Sequence, residues 1–301
     1  MICKHLKLNK IKDFGEQKLY FCQNCHIIIS RLQKTPIATT KKYEDYYEEE
    51  KGGRFGFGLE IIIRLFRFNR AYNIKKIKPQ AKSILDIGCG RGFILYYLKK
   101  YLGFTTTVGT QISRPAAEFA RKKLALNIHQ ADLLDIDFGE QKFDLITMLH
   151  VLEHVPNPEE YVEKIYKLLN KDGIFLVEVP NFNAWSRKIT DQYWLSLDPE
   201  YHIIFFNYQN ISRLLKKYNF HIKKINTFSF EYSIFTSTQS LASKISKSDQ
   251  LVYKFLQNKK FKISLIPHLI LFIILIPFSL LINILLYNSL RGEVLRIVAK
   301  K

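Results

Sequence analysis

Apolar residues in the central part of this 301-residue chain follow two alternating patterns. Short continuous apolar runs are separated by segments in which apolar residues recur every three or four positions, as on one face of a helix. The strand-like runs lie at 83–88, 105–112, 127–132, 143–152 and 174–180, and the helical segments lie at 92–103, 114–126 and 157–173. Strands that alternate with helices of this length predict a parallel sheet covered on both faces.

The same alternation continues towards the C-terminus, with a predicted helix at 208–220, a strand at 221–230 and a last strand at 293–301. The predicted strands then number seven. We therefore expect an α/β fold, a doubly wound Rossmann-like sheet. The predicted domain comprises residues 41–230, an insertion at 231–291 and the last strand of the sheet at 292–301.

A small cysteine-containing segment, residues 1–40, precedes the predicted sheet. Its stretch CQNC holds Cys22 and Cys25 at a spacing that suits two thiolates on one tetrahedral zinc. Only Cys3 and His5 are available for the other half of such a site. The segment is therefore either a zinc site of these four residues or a degenerate, ribbon-like segment without metal.

A polar, glycine-punctuated stretch at 41–57 has the composition of a linker. The residues at 59–77 then space their apolar side chains for a helix, with Arg64, Arg67 and Arg70 among them. A basic amphipathic helix can lie on a membrane or pack on its own domain. We favour packing on the domain.

The most apolar part of the chain runs from Ile263 to Tyr287, 25 residues without Asp, Glu, Lys or Arg. A helix of that length could cross a bilayer. Pro267 and Pro277 interrupt the run, and the last strand has to return to the sheet, so we expect a hairpin that dips into one leaflet. The alternative is a hydrophobic helix buried against the domain or against a second copy.

The chain has a formal net charge of +19 at pH 7, which favours anionic partners such as acidic lipid headgroups or nucleic acid. Four cysteines in a chain of this length are typical of a reducing compartment. The first ten residues lack the apolar stretch of a secretory signal. We therefore expect a cytoplasmic protein that associates with the cytoplasmic face of a membrane.

Three glycines, Gly88, Gly90 and Gly92, follow the first strand of the predicted sheet. Ligands of such sheets bind at the carboxyl ends of the strands, and glycine lets the backbone turn sharply and approach a ligand closely. A dinucleotide fingerprint requires glycine at its sixth position, where this chain has Phe93. Asp86, at the end of the strand, instead suits a ligand with an ammonium group.

The stretch LDIGCGRGF resembles the first motif of class I S-adenosylmethionine-dependent methyltransferases. The stretches HQADLLD, FDLITMLHVLEHVPNPEEY and LLNKDGIFLVEVPN follow in that family's order, over about 83–220. The chain resembles especially the branch of the ubiquinone-biosynthesis O-methyltransferases, which share LEHVP. More loosely, it is similar to methyltransferases found with polysaccharide-synthesis genes.

This resemblance implies S-adenosylmethionine as the cofactor and places its binding residues at three strand ends. Where the family has an acid that accepts both ribose hydroxyls, this chain has a glutamine, which carries no charge. At the end of the third strand the resemblance implies that Asp132 binds the cofactor, and the alternative is that Asp132 caps a turn. The implied cofactor residues are Asp86, Gly88, Cys89, Gly90, Gln111, Ile112, Asp132 and Leu133.

Three histidines are candidates for the catalytic base that takes a proton from an acceptor hydroxyl, because imidazole titrates near neutral pH. Glu153 could also join one of them, His154, as a ligand of a divalent metal. Alternatively, LEHVP is a structural turn at the rim. The candidate bases are His150, His154 and His202.

The leading hypothesis is methyl transfer to an oxygen of a lipid-linked or hydrophobic acceptor, such as a glycan-lipid or a quinone-like molecule, at a membrane surface. Trp185 and Trp194 could line the acceptor site, or they could belong to the core. Two alternatives remain. A nucleic-acid methyltransferase would explain the charge, although the fourth strand lacks the Asn/Asp-Pro-Pro-aromatic motif of base-amino methylation. A non-catalytic cofactor-binding scaffold is suggested only by Gln111.

Overall fold

The computed structural model describes residues 7–14, 17–32, 57–198, 201–248, 250–258, 263–287 and 289–301. Its main feature is a seven-stranded sheet. The strands are β4 (Ser83–Ile87), β5 (Thr106–Thr110), β6 (Asn127–His129), β7 (Phe143–Leu149), β8 (Leu169–Pro180), β10 (His221–Asn226) and β11 (Val294–Lys300). They lie in the order β10-β11-β8-β7-β4-β5-β6, and β11 runs in the direction opposite to the other six. The predicted α/β, doubly wound, seven-stranded fold is confirmed.

Helices cover both faces of this sheet because successive strand residues point to opposite sides. On β4, Leu85 belongs to one apolar core and Ile84 to the other. The first core includes α4 and α6, and the second includes α1, α2 and α3. The helices are α1 (Phe57–Ile77), α2 (Phe93–Tyr101), α3 (Arg114–Leu124), α4 (Pro158–Leu168), α5 (Trp185–Thr190) and α6 (Tyr208–Lys217).

Several predicted boundaries differ from the structure, and at two places they are wrong by four residues or more. The helix predicted to reach residue 173 ends at Leu168, because the chain extends at once into β8 and pairs with Phe143 of β7. The strand predicted to reach residue 230 ends at Asn226, whose side-chain oxygen accepts a hydrogen bond from the backbone N–H of Phe228.

The N-terminal segment forms its own antiparallel sheet of β1 (Leu8–Asp13), β2 (Gln17–Cys22) and β3 (Ile28–Leu32), which pairs with β9 (Ile204–Phe205). Cys22 is buried and Cys25 is half-buried. Cys3 and His5 lie outside the described residues, so the zinc site stays a prediction.

The helix predicted at 59–77 is α1, and it packs on the domain through Ala71 and Ile74, as we favoured. Most of the predicted linker at 41–57 lies outside the described residues.

The insertion between β10 and β11 contains α7 (Phe230–Ser246), α8 (Leu251–Asn258) and α9 (Ile266–Leu285). The hairpin predicted for the apolar run is wrong, because α9 is one continuous helix. Pro267 lies in its first turn, where no intrahelical N–H bond is lost. Pro277 lies within the helix without ending it. Within the described residues, Ile263–Leu285 is the one segment long and apolar enough to cross a membrane.

Candidate active site

The glycine turn after β4 has the backbone geometry that its sequence predicts. Gly88, Gly90 and Gly92 all have positive φ, of 68°, 56° and 76°. A Cβ on Gly88 would lie only 2.4 Å from the Cγ2 atom of Val151, so the turn packs against the segment after β7 without room for a side chain. The backbone N–H of Cys89 donates to the carbonyl of Thr110, which fixes the turn to the end of β5.

Asp86 lies beneath this turn and is almost completely buried. The hydroxyl of Thr147 donates to its Oδ1 atom at 2.6 Å. Burial raises the pKa of Asp86 to about 6, while the Thr147 hydrogen bond and the charge of Arg70 oppose that rise. The half-buried thiol of Cys89 has a raised pKa through burial and the nearby charge of Asp86, so it is held neutral.

The two other predicted cofactor positions lie at neighbouring strand ends of the same sheet edge. Gln111 is buried, and its Oε1 atom accepts a hydrogen bond from the backbone N–H of Ser113 at 3.0 Å. Ile112 beside it is half-buried. The side-chain oxygen of Gln111 is thus bonded within its own loop, and the side-chain amide nitrogen remains to bind a ligand.

Asp132 begins the short 3₁₀ helix Leu133–Asp135, and its Oδ1 atom accepts from the backbone N–H of Leu134 at 2.8 Å. Its Oδ2 atom accepts from the hydroxyl of Tyr161. Asp132 therefore has the capping role that was the alternative in the sequence. Each carboxylate oxygen has a second lone pair, so its contact with a cofactor stays a prediction.

A buried charge network lies beside the glycine turn, centred on Glu178 of β8, which is 0% exposed. Its carboxylate accepts from His150 at 2.9 Å, lies 3.3 Å from the guanidinium of Arg70, and accepts from Arg296 of the adjacent strand β11. These cations hold the pKa of Glu178 well below its usual range, although burial alone would raise it. Sequence reasoning missed this centre. A single glutamate in the apolar run IFLVEVP was the available signal.

His150 ends up between two carboxylates, since its Nδ1 atom is 3.4 Å from Glu153. Burial disfavours its charged form, but Glu153 and Glu178 outweigh burial and raise the pKa of His150 to about 9. The backbone is left-handed at this residue, with φ of 54°. A base role for His150 therefore requires that it first loses a proton, and that role stays a prediction.

The side chain of His150 is covered by Tyr232 of α7, with ring centroids 4.2 Å apart. Arg70 also contacts this turn of α7. Its guanidinium lies 4.9 Å from the centroid of the Tyr232 ring and pairs with Glu231 at 3.3 Å. The insertion therefore reaches the rim of the site through the first turn of α7. Tyr232 and Glu231 carried no recognisable signal in the sequence.

The other two candidate histidines lie together around Glu153. The Nδ1 atoms of His154 and His202 lie 2.9 and 2.8 Å from the backbone carbonyls of Tyr201 and Ser196, so each Nδ1 carries the proton and each Nε2 the lone pair. Burial lowers the pKa of both imidazoles.

Glu153 itself is 2% exposed, and neither of its carboxylate oxygens has a hydrogen-bond partner among the described residues. Its neighbouring histidines lower its pKa against the effect of burial. Glu153, His154 and His202 offer ligand atoms that all lie within 4.8 Å of one another, an arrangement able to hold a divalent cation.

The two tryptophans belong to packed regions. Trp194 lies in a small core with Phe182 and Phe205, beneath the N-terminal sheet, and Trp185 is 6% exposed at the start of α5. This packing supports the interpretation of both as core residues.

The comparison with known proteins agrees with this geometry. Residues 60–225, more than half of the chain, match the model of a family described as a methyltransferase domain. The chain is 37% identical over 113 residues to a ubiquinone biosynthesis O-methyltransferase of Glaesserella parasuis, covering 34% of this chain and 47% of that protein. It is 28% identical over 108 residues to a demethylmenaquinone methyltransferase of Lactobacillus johnsonii, covering 33% and 44%.

The chain thus spans about half the length of the curated relatives that it matches. Among solved structures, an S-adenosylmethionine-dependent methyltransferase from Archaeoglobus fulgidus matches with a TM-score of 0.51 and 18% identity, covering 86% of this chain and 99% of that one. This likeness supports the fold alone.

Proposed function

The chain belongs to the methyltransferase-domain family, in the class I S-adenosylmethionine-dependent group, and from this premise we propose that it methylates an oxygen of a hydrophobic or lipid-linked acceptor at a membrane surface. One observation carries the choice of acceptor. Helix α7 places Tyr232 on His150 at the rim of the site, and five residues later its Ser237 bonds to Asn283 of the apolar helix α9. The site and the most apolar surface therefore share one rigid element.

The residues at the end of β4 fit S-adenosylmethionine. The turn at Gly88 leaves no space for a Cβ, and its left-handed backbone suits glycine. Asp86 provides a buried carboxylate for an ammonium group, and Gln111 provides an amide for ribose hydroxyls. When bound, the cofactor supplies a methyl group activated on a sulfonium. The protein's contribution is to align the acceptor with that methyl group and to exclude water.

The histidines give the site a means of handling the acceptor's proton. In the tautomer fixed by Ser196, the Nε2 atom of His202 carries a lone pair that can accept a proton from a hydroxyl. His150, held as a cation by Glu153 and Glu178, is suited to stabilise the oxygen that loses that proton. We assign His202 the base and His150 the stabilising charge, with His154 supporting Glu153.

A second route to the same deprotonation uses a divalent cation. The buried carboxylate of Glu153, with the lone pairs of His154 and His202, has the composition of a site for such a metal, and the carbonyls that bond the two Nδ1 atoms fix both ligand orientations. A bound cation would lower the pKa of a coordinated hydroxyl. At the N-terminus, zinc on Cys22 and Cys25 remains a separate, structural proposal.

The experiment follows the fate of a tritiated methyl group. Purified protein is incubated with labelled S-adenosylmethionine and a lysate of the native host, which is then separated into lipid, nucleic-acid and protein fractions. We expect label in the lipid fraction, and none above background with Asp86→Asn. Label in nucleic acid would establish the alternative that the net charge suggests. Cofactor binding without transfer to any fraction would favour a non-catalytic scaffold.

A further inference from the structure

The polarity of helix α9 is inverted relative to a helix that packs on a protein core in water. Its buried residues are Ser279 and Asn283, whereas six of its seven isoleucines are exposed. Only 11% of its most apolar 18-residue window is buried. Helices on soluble proteins place their apolar stripe against the core and their polar residues in water. The large exposed side chains are Ile266, Ile270, Ile273, Ile274, Ile276, Phe278, Leu281, Ile284 and Leu285.

The contact between α9 and α7 combines an aromatic pair, Phe272 with Phe235 at 5.5 Å between ring centroids, with hydrogen bonds between polar residues. The side-chain amide of Asn283 donates to the Ser237 hydroxyl at 3.0 Å and to the Ser279 carbonyl at 2.8 Å. The Ser237 hydroxyl in turn donates to the carbonyl of Ser233 within its own helix. Small residues and hydrogen bonds of this kind are how helices associate when their surroundings are apolar. The packing of α9 therefore indicates hydrocarbon on its outer face.

Both ends of α9 are attached to the same folded body. At the C-terminal end, the Thr227 hydroxyl donates to the carbonyl of Ser289, and the amide of Asn226 donates to the hydroxyl of Tyr287. At the N-terminal end, Leu265 is buried. The helix is about 30 Å long, enough to cross a bilayer, but crossing would require the body to lie on both sides. An orientation in the plane of one leaflet satisfies both attachments.

A rim of aromatic side chains connects α9 with α1. The ring of Tyr287 lies 6.0 Å from Phe228, Phe228 lies 6.4 Å from Phe230, and Phe230 lies 5.8 Å from Phe66 of α1. Phe230 is 57% exposed. Aromatic side chains favour the boundary between hydrocarbon and headgroups.

The chain just beyond this aromatic rim adds charge. Arg291 is exposed and follows Tyr287 by four residues. Arginine near the surface of an anionic leaflet is attracted to its headgroups. Since α9 carries no charge of its own, the cations that neighbour it decide which lipids it prefers.

We propose that the protein docks on an anionic membrane with α9 lying in the plane of one leaflet and the Phe228–Phe230–Tyr287 rim at the headgroups. The orientation is argued from the surface of α9 alone, and only its purpose, to present the site to a membrane-borne acceptor, rests on the proposed function. It turns the first turn of α7, and with it Tyr232 and His150, towards the lipid surface, where a membrane-borne acceptor would arrive. The occupant of the apolar face is lipid and not a second copy of the chain.

Depth measurements with the full-length protein test the orientation. Single tryptophans are introduced as Ile266→Trp, Ile274→Trp and Leu285→Trp, and their fluorescence is quenched by vesicles of phosphatidylcholine and phosphatidylglycerol brominated at defined acyl positions. The native tryptophans are buried. We expect all three positions at the same shallow depth. A deep central position between two shallow ends would show that α9 spans the bilayer and would overturn the proposal.

Vesicle sedimentation tests the surface itself. The double variant Ile273→Asp/Ile274→Asp should weaken binding to the anionic vesicles about tenfold or more, because two exposed apolar side chains that would enter the hydrocarbon become charged. Ile11→Asp, at another exposed isoleucine on β1, is the matched control and should bind as wild type. The proposal would be contradicted if wild type does not bind vesicles but forms a dimer, and if the double variant is monomeric. None of these measurements involves cofactor or turnover, so calorimetry with S-adenosylmethionine reports separately on the proposed function.

Discussion

Tyr232 stacks on His150 with ring centroids 4.2 Å apart, which places the first turn of the insertion directly on the rim of the methyltransferase site. Other hydrogen bonds also join α7 to the domain, such as the one from the backbone N–H of Leu195 to the Ser240 hydroxyl. Through the Tyr232 contact, a movement of α7 reaches a side chain that is bonded to Glu178 of the central network. The insertion that contains α9 and the candidate site are therefore in direct contact.

The cofactor turn depends on the absence of a side chain at Gly88. We expect Gly88→Ala to weaken S-adenosylmethionine binding at least about tenfold, because its Cβ would lie 2.4 Å from Val151 and displace the turn. Gly103→Ala is the control, since that glycine has a similar φ of 74° but nothing within 4 Å of its Cβ position. Calorimetry that finds the same affinity loss in both variants would assign the effect to backbone strain.

Cofactor affinity should depend on the protonation of Asp86. Its pKa of about 6 means that the carboxylate is charged above pH 7 and becomes neutral as the pH falls below 6. Arg70 and Cys89 are the other ionisable groups that act on it, and both keep their protonation through this range. We expect S-adenosylmethionine affinity to fall between pH 7 and pH 5. Asp86→Asn should bind weakly with a flat profile, and a flat wild-type profile would show that Asp86 does not meet the ammonium group.

Gln111 is where the chain departs from the acidic residue of the family it resembles. Gln111→Glu could keep the hydrogen bond from Ser113 with one oxygen and offer the other to ribose hydroxyls. We expect affinity for S-adenosylmethionine to increase several-fold, by about 1 kcal/mol, which is the difference between a hydrogen bond to a charged group and one to a neutral group. Unchanged affinity in both Gln111→Glu and Gln111→Ala would place this side chain outside the ribose site.

The seven-stranded sheet and the glycine turn could be predicted from the sequence because both are local patterns. The network of Arg70, Glu178 and Arg296 could not, since its members are brought together from α1, β8 and β11. The N-terminal strands also show no local sign that β3 will pair with β9 beside His202. Pro277 misled the prediction of a hairpin, because an apolar helix can keep an internal proline when nearby groups satisfy the backbone groups that the proline leaves without partners.

Glu178 should be the most sensitive position for stability. Replacing it in Glu178→Gln leaves Arg70, His150 and Arg296 without their shared counter-charge, which costs about 3–5 kcal/mol for a buried pair that loses one partner. Urea unfolding measures the loss. Glu163→Gln, which removes an exposed ion pair with Lys167, should unfold at the same urea concentration as wild type. Equal midpoints for all three proteins would show that the network does not stabilise the fold.

The Glu153 cluster predicts binding of a divalent cation. Titration of chelator-treated protein with Mn²⁺ or Zn²⁺ should show one site that Glu153→Gln abolishes, because the carboxylate is its only negative ligand. His221→Ala, an exposed histidine on β10, serves as the control. If no cation binds in wild type, the base assigned to His202 is the remaining route for deprotonation.

The central claim, that catalysis is performed on a membrane-borne acceptor, is tested most directly by a ratio of two rates. Transfer of tritiated methyl is measured into a lipid extract of the native host, presented either in vesicles or in detergent micelles, for wild type and Ile273→Asp/Ile274→Asp. We predict that the double variant loses most activity on vesicles and retains it in micelles, because only local concentration is lost. Equal rates for the two proteins on vesicles would contradict the account.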